Sequence, residues 1–406
     1  MKKIIALLLF GILLFGCTLP PLPGTWNNPQ AAGNGSQSSP VLNPPPNVTT
    51  PAANATPPAQ PPVVSPPPVT SDRQRLIGWY VMNKLMGANG AVMKSYGDAS
   101  YSSESVWMVM EYALETGNRT LFDREFEFLK TRQLDPTYSL AYAELDSSFS
   151  PKTMGGRYYA ETANDIRIVH MLYDAKDKWG NAGYTNVAKR ISDSLLLHAV
   201  FTDIFVKEVY WGADAASPST RMSSAGPDWV VMQRLAAESH GWTSVLERTR
   251  SHVLGCQESG LFWPEYNAAG PACDYGQGMG AAKTTGIATA AMALADVNIL
   301  ETAVITFGKL TNELNQDDRI SESYFMQFNG VPSGDENAAT YAAVGRLAVK
   351  LDRCDSAAKI KDKLLAYFVA DTGSPLYGSI AMDGTANAYD NLQALLFLHE
   401  YANTCG

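Results

Sequence analysis

Residues 101–130, "YSSESVWMVMEYALETGNRTLFDREFEFLK", predict a helical hairpin. Val106, Met110 and Leu114 recur at helical spacing, and Ser102 can cap the first helix. A second helical pattern follows the Gly-Asn link after only a few residues. Such a short link brings two helices together side by side and antiparallel. The unit from which this fold is built is therefore a pair of helices.

The same periodicity continues along the chain and predicts twelve helices, with almost no alternating strands. Their spans are 72–86, 102–116, 120–134, 160–178, 184–203, 227–239, 242–255, 278–296, 299–314, 335–350, 354–370 and 386–403. Short links pair them into hairpins, and longer stretches rich in glycine, proline and aromatic residues separate the pairs. Six hairpins predict an all-α fold, the (α/α)6 barrel. A solenoid of the tetratricopeptide kind is the alternative, but it requires a repeat of about 34 residues with a fixed signature, which is absent.

The N-terminus predicts export. Lys2 and Lys3 precede an apolar run, 4–15, that is too short to cross a bilayer comfortably and is followed by Gly16-Cys17. This pattern resembles the lipobox of secreted lipoproteins, which implies a signal peptide, 1–16, and a lipid on Cys17. An uncleaved membrane anchor is the alternative. Under either interpretation the chain is exported, and we expect a lipoprotein on the cell surface.

Residues 17–70 predict a disordered tether. From Thr18 to Thr70 there is no Asp, Glu, Lys or Arg, and 16 of the 24 prolines lie there. Such a composition cannot bury a core and favours extended polyproline conformers. We therefore expect one globular domain over 71–406.

The formal net charge of −9 disfavours nucleic acids and polyanionic ligands. The five histidines form no HxH or HExxH motif, and there is no CxxC, so we expect no metal and no cofactor. The only contact with a membrane should be the lipid anchor. We expect a monomer, although no feature of the sequence reports on oligomers.

Four cysteines remain in the globular part, and an even number in an exported domain predicts two disulfides. Three connectivities are possible. We favour Cys256 with Cys273, which closes a loop, and Cys354 with Cys405, which ties down the end of the chain.

Acidic residues stand at or just before the starts of alternate predicted helices. They are Glu104, Glu161, Asp228, Asp274, Asp335, Glu336 and Asp383. In a closed ring these starts lie on one rim and would line a cleft with carboxylates. The alternative is purely structural, because acids at helix N-termini cap free amides and complement the helix dipole.

Aromatic residues accompany these acids in the sequence. They are Tyr96, Tyr101, Trp107, Tyr158, Tyr159, Trp211, Trp229, Trp263, Tyr266, Tyr275 and Tyr389. Sugar rings stack on aromatic side chains, and their hydroxyls bond carboxylates, although aromatic residues also serve as core packing. Paired carboxylates are the minimum equipment for glycoside hydrolysis. No GxSxG motif, phosphate-binding loop or Cys-His pair indicates a competing chemistry.

Two segments resemble glycoside hydrolase family 8. Residues 101–130 are similar to that family's S-E-G-x-x-Y-G-M segment with its alanine-rich helix, and "YYAETANDIRIVHMLYDAKDKWGNAGYTNVAKRI", 158–191, is similar to its A-T-D-x-D-L-D-I-A segment. Order and spacing agree from about residue 72 to 255, and more weakly to "AYDNLQALLFL" near the C-terminus. The resemblance implies an inverting (α/α)6-barrel enzyme that cuts β-1,4-linked glucan, chitosan or xylan.

Carried over residue by residue, the resemblance makes Glu104 the general acid and Asp274, in "ACDYGQGMG", the nearest candidate for the general base, with Asp228 as a substitute. Glu161 falls where the family holds the sugar at the cleavage site. Together with the aromatic pattern, this gives a substrate-binding set of Glu161, Tyr101, Trp107, Tyr159, Asp228, Trp263 and Tyr275. As a general acid, Glu104 must have a raised pKa.

Some positions depart from the family pattern. Ser105 and Trp107 replace the usual residues after the acid, Ala163 replaces the second Asp, and Gln277 stands near the position of a missing arginine. A glycan-binding protein without turnover is therefore a second hypothesis. A third is another (α/α)6 enzyme, such as an unsaturated glucuronyl hydrolase or a polysaccharide lyase, whose anionic substrates the charge balance disfavours.

Overall fold

The computed structural model describes residues 72–270 and 281–406. The chain divides into two compact units, 1–56 and 57–406, and all described residues belong to the second. The predicted signal peptide, Cys17 and the whole predicted tether lie outside the described residues. Within the described ranges, no helix combines the length and the apolar character needed to cross a membrane.

The described part of the chain contains twelve α-helices, as the sequence predicts. They are α1 Arg73–Tyr80, α2 Ser103–Glu115, α3 Arg119–Phe128, α4 Thr162–Trp179, α5 Ala182–His198, α6 Trp229–Glu238, α7 His240–Gly255, α8 Thr284–Asp296, α9 Leu300–Gln316, α10 Ala338–Lys350, α11 Cys354–Leu364 and α12 Ala388–Thr404. Single π-helical turns, Val81–Leu85 and Leu129–Gln133, extend α1 and α3. Short 3-10 turns occupy Met326–Phe328 and Leu365–Tyr367.

The helices form two concentric rings. In the inner ring, α2, α4, α6, α8, α10 and α12 each contact the next, and α12 contacts α2. Each inner helix also packs against an outer partner: α2 with α3, α4 with α5, α6 with α7, α8 with α9, α10 with α11, and α12 with α1. The contact between α12 and α2 closes the ring and rules out an open solenoid. The predicted (α/α)6 barrel is confirmed.

Burial explains which helices lie inside. Every residue of α10 from Ala338 to Val349 is buried, whereas amphipathic α9 leaves Leu300 and Ile305 about half exposed. Small residues allow the inner helices to approach closely. A Cβ atom built on Gly345 would lie 2.4 Å from Cζ of Phe397 on α12, so only glycine fits there.

The expectation from the sequence that strands are almost absent is wrong. Short strands lie in the segments between the helices. They are β1 Met93–Ser95, β2 Asp98–Ser102, β3 Glu144–Leu145, β4 Tyr158–Glu161, β5 Val200–Phe201, β6 Ile204–Phe205, β7 Glu208–Trp211, β8 Ser217–Pro218, β9 Arg221–Ser223, β10 Gln257–Glu258, β11 Leu261–Phe262, β12 Glu265–Asn267, β13 Ala281–Lys283, β14 Ser323–Phe325 and β15 Val331–Ser333. They pair antiparallel as β1-β2-β3, β4-β7-β8, β5-β6, β9-β12, β10-β11 and β13-β14-β15. Strands of two to five residues are too short to show an alternating pattern in the sequence.

Two predicted helix boundaries are wrong because strands occupy the ends. The helix expected over 184–203 ends at His198, and β5 and β6 then form a hairpin whose two turn residues, Thr202 and Asp203, have positive φ angles of 48° and 61°. The helix expected over 278–296 begins only at Thr284, after β13.

A disulfide joins Cys354, at the start of α11, to Cys405, just after α12. This is the pair that the sequence favours. Cys256 is buried at the end of α7, but Cys273 lies outside the described residues, so their pairing stays a prediction.

Candidate active site

The N-terminal ends of the inner helices form one rim, because each inner helix packs against an antiparallel outer partner. Glu104 lies in the first turn of α2, and Glu161 ends β4 just before α4. Lys283 precedes α8, and Tyr389 lies in the first turn of α12. With Arg167 of α4, these residues interact electrostatically around Glu104, and we name the five the Glu104 site.

Glu104 is held at the start of its helix but has no partner of its own. The Ser102 hydroxyl caps α2 by accepting a hydrogen bond from the Ser105 amide at 3.3 Å. The Glu104 carboxyl is therefore not needed as the helix cap. Within 72–270 and 281–406, no hydrogen bond or ion pair engages that carboxyl. Burial raises the pKa of Glu104 to about 7, and the charge of Glu161 adds to the rise, although Arg167 opposes it.

Glu161 is the second carboxylate of the site. It lies opposite Glu208 in the register of β4 and β7 and accepts a hydrogen bond from Asn164 Nδ2 at 2.9 Å. Burial and the charge of Glu208 raise the pKa of Glu161, and the Asn164 bond counters them. The structure therefore brings the predicted acid and the predicted sugar-binding carboxylate together on the rim.

Buried Asn164 links the two acid-bearing helices. Its Nδ2 also donates to Ser103 Oγ at 3.1 Å, and its Oδ1 accepts from Trp107 Nε1 at 3.1 Å. The bonds to Ser103 and Trp107 join α4 to α2, and the bond to Glu161 joins α4 to the end of β4. The network fixes the position of Glu161 relative to the start of α2.

Arg167, a member of the Glu104 site, also covers the ring of Trp107. The guanidinium of Arg167 lies over the Trp107 ring, 4.9 Å from its centroid, and donates to the Ala225 carbonyl at 2.6 Å. Trp107 is only 7% exposed. Its ring faces Arg167, so its predicted role as a sugar platform stays a prediction.

The other predicted sugar-binding aromatic residues also contact protein neighbours. Tyr101 stacks on Phe149 with a centroid distance of 4.7 Å, Tyr159 stacks on Tyr210 at 6.4 Å, and Trp263 is buried. Tyr96 and Tyr158 are the more exposed aromatic residues of the predicted rim group, at 44% and 37%. Sugar stacking by Tyr101, Tyr159 and Trp263 stays a prediction.

Asp228 lies in an ion pair of its own, outside the five residues of the Glu104 site, and its predicted role in sugar binding stays a prediction. It caps α6 by accepting from the Val231 amide at 3.2 Å, and it pairs with His170 Nδ1 at 2.7 Å. Burial alone would raise the pKa of Asp228, but His170 holds it below its ordinary value, and the pair raises the pKa of His170 to about 9. Asp228 lines a cavity of about 570 Å³ inside the inner ring, which we name the central cavity.

Asp274 and Tyr275 lie outside the described residues, so their predicted roles stay predictions. The described flank on their C-terminal side is β13, which ends at Lys283 beside Glu104. On the other flank, Glu265 of β12 pairs with Lys207 at 2.7 Å and with Arg221 at 3.2 Å.

The sequence analysis missed Asn164, Arg167, Lys94 and Lys283. Asn164 and Arg167 follow Glu161 at steps of three residues along α4, a spacing that could have drawn attention to them. Lys94 and Lys283 come from distant segments, and only the closed ring brings them near Glu104. No local signal in the sequence marks either lysine.

Known structures share the architecture. An alpha-amylase from Clostridium perfringens is 20% identical, with 81% of this chain and 98% of that chain covered and a TM-score of 0.72. The chain shares the (α/α)6 barrel fold of that structure. PssZ from Listeria monocytogenes, which is 16% identical, has the same fold, with 84% and 98% coverage and a TM-score of 0.63. So does the endoglucanase Cel10 of Klebsiella pneumoniae, a family 8 glycosyl hydrolase that is 12% identical, with 80% and 98% coverage and a TM-score of 0.59.

The resemblance to family 8 is thus confirmed as a resemblance of fold. No family model matches the sequence. One curated relative, the candidate lipoprotein YdaJ of Bacillus subtilis, is 25% identical to this chain over 153 residues, which is 37% of the chain. That match spans 39% of the length of YdaJ.

Proposed function

We propose that this chain is an exported glycoside hydrolase in which Glu104 is the general acid. One observation carries the proposal: a carboxyl group with a pKa of about 7, which no other described residue engages in a hydrogen bond or ion pair, lies on the rim of a six-hairpin barrel within electrostatic reach of a second carboxylate. A helix-capping acid would need neither property, since Ser102 already caps this helix.

The chemistry follows from that pKa. A carboxyl group with a pKa near 7 still carries its proton in about half of the molecules at neutral pH, so it can protonate the leaving glycosidic oxygen. A second, ionised carboxylate then activates water on the opposite face of the sugar, in an inverting displacement. We assign that role to Asp274, whose carboxyl should lie roughly 6.5 to 9.5 Å from that of Glu104. Glu161 would bind the hydroxyls of the sugar at the cleavage site.

The proposed substrate is a neutral β-1,4-linked polysaccharide of the glucan type. The net charge of −9 favours a neutral polymer, and the sequence resemblance to family 8 supports the linkage. Proteins named as an endoglucanase and a β-1,3-1,4-glucanase share the fold. An α-linked glucan is a second candidate, because the protein named as an alpha-amylase has the higher identity and TM-score.

The proposed location is the cell surface. The lipobox-like N-terminus and the proline-rich segment after Cys17 support a lipid-anchored domain on a long tether. The name of YdaJ supports the same assignment. A tethered hydrolase of this kind would act on polysaccharide outside the cell.

The test measures new reducing ends released from carboxymethylcellulose, mixed-linkage glucan, xylan, chitosan and starch. The purified wild type is compared with Glu104→Gln and with a matched control, Glu127→Gln, which changes an exposed glutamate of α3. We expect the wild type and the control to release reducing ends from one substrate class, and Glu104→Gln to be at least about a hundredfold slower.

Equal activity of Glu104→Gln and wild type would remove Glu104 from the mechanism. Binding of a polysaccharide by all three folded proteins, with no reducing ends from any of them, would replace the proposal with a glycan-binding protein.

A further inference from the structure

The sheet β13-β14-β15 has one face turned to the core and one turned to solvent. Successive residues of a strand point to opposite faces, and residues that pair across strands share a face. Ala282 pairs with Tyr324, and both are buried. The residues on either side of this pair therefore lie on the opposite face, which we name the outer sheet face. It carries two rows of paired residues, Lys283 with Ser323 and Ser333, and Ala281 with Phe325 and Val331.

The outer sheet face begins at the Glu104 site. Lys283 ends β13 and belongs to that site, because its charge acts on the Glu104 carboxyl. Ser323 pairs with Lys283, and its hydroxyl donates to the Ser333 carbonyl at 3.0 Å, which leaves the hydroxyl oxygen able to accept a hydrogen bond. Phe325 follows two residues later, about 7 Å along β14 at the rise of a strand. The face therefore leads from the carboxylates of the rim to an aromatic residue.

Apolar side chains at the far end of the outer sheet face are exposed. Phe325, Phe328 and Val331 have exposed fractions of 39%, 59% and 50%. The rings of Phe325 and Phe328 contact each other edge to face, with a centroid distance of 6.3 Å. Single exposed apolar residues are ordinary, but a contiguous group of them marks a binding surface in many soluble proteins. These three residues therefore indicate such a surface.

The turn that carries Phe328 is anchored to the domain. Met326 is completely buried, and the Gly330 amide donates to the Phe325 carbonyl at 3.2 Å. Gly330 has a φ angle of 70°, and a Cβ atom built on it would lie 2.5 Å from Leu261 Cδ1, so glycine fits best there. The anchored turn holds the two rings in place before a ligand arrives, which lowers the entropic cost of binding.

We propose that the outer sheet face binds the polysaccharide chain beyond the cleavage site. This inference rests on the proposed function, because it extends the same substrate along the rim. A neutral sugar polymer has apolar ring faces and hydroxyl edges, and the outer sheet face offers an apolar row beside a row of serine hydroxyls. Lys283, the charged member of the two rows, lies at the end beside Glu104. A purely apolar partner would bury the serine hydroxyls without hydrogen bonds, which is unfavourable.

The first test measures polymer binding by affinity electrophoresis in native gels that contain hydroxyethylcellulose, mixed-linkage glucan, xylan or starch. The full chain carries Glu104→Gln, so that no polymer is cut during the run. Phe325→Ala with Phe328→Ala removes both rings, and Phe325→Trp with Phe328→Trp keeps aromatic surface at both positions. Leu197→Ala, which changes an exposed apolar residue of α5, is the matched control.

We expect one polymer to retard the parent and the control equally. The apparent affinity for that polymer should weaken about tenfold when both rings are removed, and the tryptophan variant should retain it. Equal retardation of the parent and the ring-free variant, or no retardation by any polymer, would overturn the proposal. So would self-association of the parent that ring removal abolishes without changing retardation, since the face would then join two copies of the chain.

The second test separates the outer sheet face from the Glu104 site. In chains that keep Glu104, removal of both rings should raise KM for the polymer about tenfold and leave kcat unchanged, because the rings bind the polymer away from the cleaved bond. A fall in kcat with KM unchanged would mean that the substitutions act on the Glu104 site, which would also overturn the proposal. Absence of turnover in every chain would contradict the proposed function alone, since retardation in the gel does not depend on catalysis.

Discussion

Replacing Gly345 by alanine separates two opposing effects of a methyl group in the inner ring. In an unobstructed helix, alanine is more favourable than glycine by about 1 kcal/mol. At Gly345, however, the new Cβ would lie 2.4 Å from Cζ and 2.6 Å from Cε1 and Cε2 of Phe397, a ring that is completely buried. Overpacking of a closed core costs about 1 to 3 kcal/mol, and a contact onto a trapped ring belongs at the upper end of that range.

The net expectation is that Gly345→Ala destabilises the domain by about 2 kcal/mol. At an unfolding entropy of about 2.1 cal/mol/K per residue, a domain of roughly 330 residues should melt ~3 °C lower. The matched control is Gly308→Ala in α9, where no heavy atom lies within 4 Å of the added methyl group. That variant should gain up to about 1 kcal/mol from helix propensity alone.

Calorimetry and urea unfolding of the wild type and the two variants measure both effects. The inner-ring packing described above requires Gly345→Ala to be less stable than the wild type while Gly308→Ala is at least as stable. If the two substitutions instead stabilise the domain equally, α10 and α12 do not approach as closely as the structure shows.

Three further predictions concern titration, the disulfide and the buried charges. Turnover of the wild type should fall as the pH rises through about 7, because Glu104 then loses the proton that it donates. In Glu161→Gln the pH–rate profile should show this fall at lower pH, because the charge that raises the pKa of Glu104 is gone. An unchanged profile would contradict the electrostatic coupling of the two acids. Changing Cys354 and Cys405 to serine removes a disulfide that spans 51 residues and should lower the free energy of unfolding by about 4 kcal/mol in denaturant titrations. No change in that free energy would show that the disulfide does not form. Arg346→Met leaves two partly buried carboxylates unpaired and should cost about 3 kcal/mol by the same measurement. A loss below about 1 kcal/mol would refute the pairing.

Apolar periodicity in the sequence predicts most of the fold. Long helices such as α4 and α12 repeat their apolar positions over four or more turns, so their existence and approximate bounds are legible in the sequence. The strands cannot be predicted from the sequence, because β4 and β13 pair with partners far along the chain and are too short to show a period. Pairing of this kind depends on the closed ring rather than on local residue preferences.

The candidate site was predictable only where chemistry coincides with a helix start. Glu104 and Glu161 stand out because an acid precedes or opens an apolar helix. In the sequence, Asn164 resembles any polar residue in the first turn of a helix. In the structure its hydrogen bonds to Glu161 and Ser103 fix the positions of the two acids relative to each other. The sequence favours Trp107 as a sugar platform, but the arginine that covers its ring comes from the neighbouring helix, a contact that no local pattern predicts.

The pairing of α12 with α1 has a consequence for the order in which the barrel can form. Five of the hairpins join neighbours in the chain, but this sixth pair joins helices whose synthesis is separated by about three hundred residues. During translation, α1 therefore lacks its partner while the other hairpins form. A chain interrupted before α12 would leave an open arc with uncovered apolar surface on α10 and α2, at its two ends, and on α1, and would present that surface to proteases and chaperones.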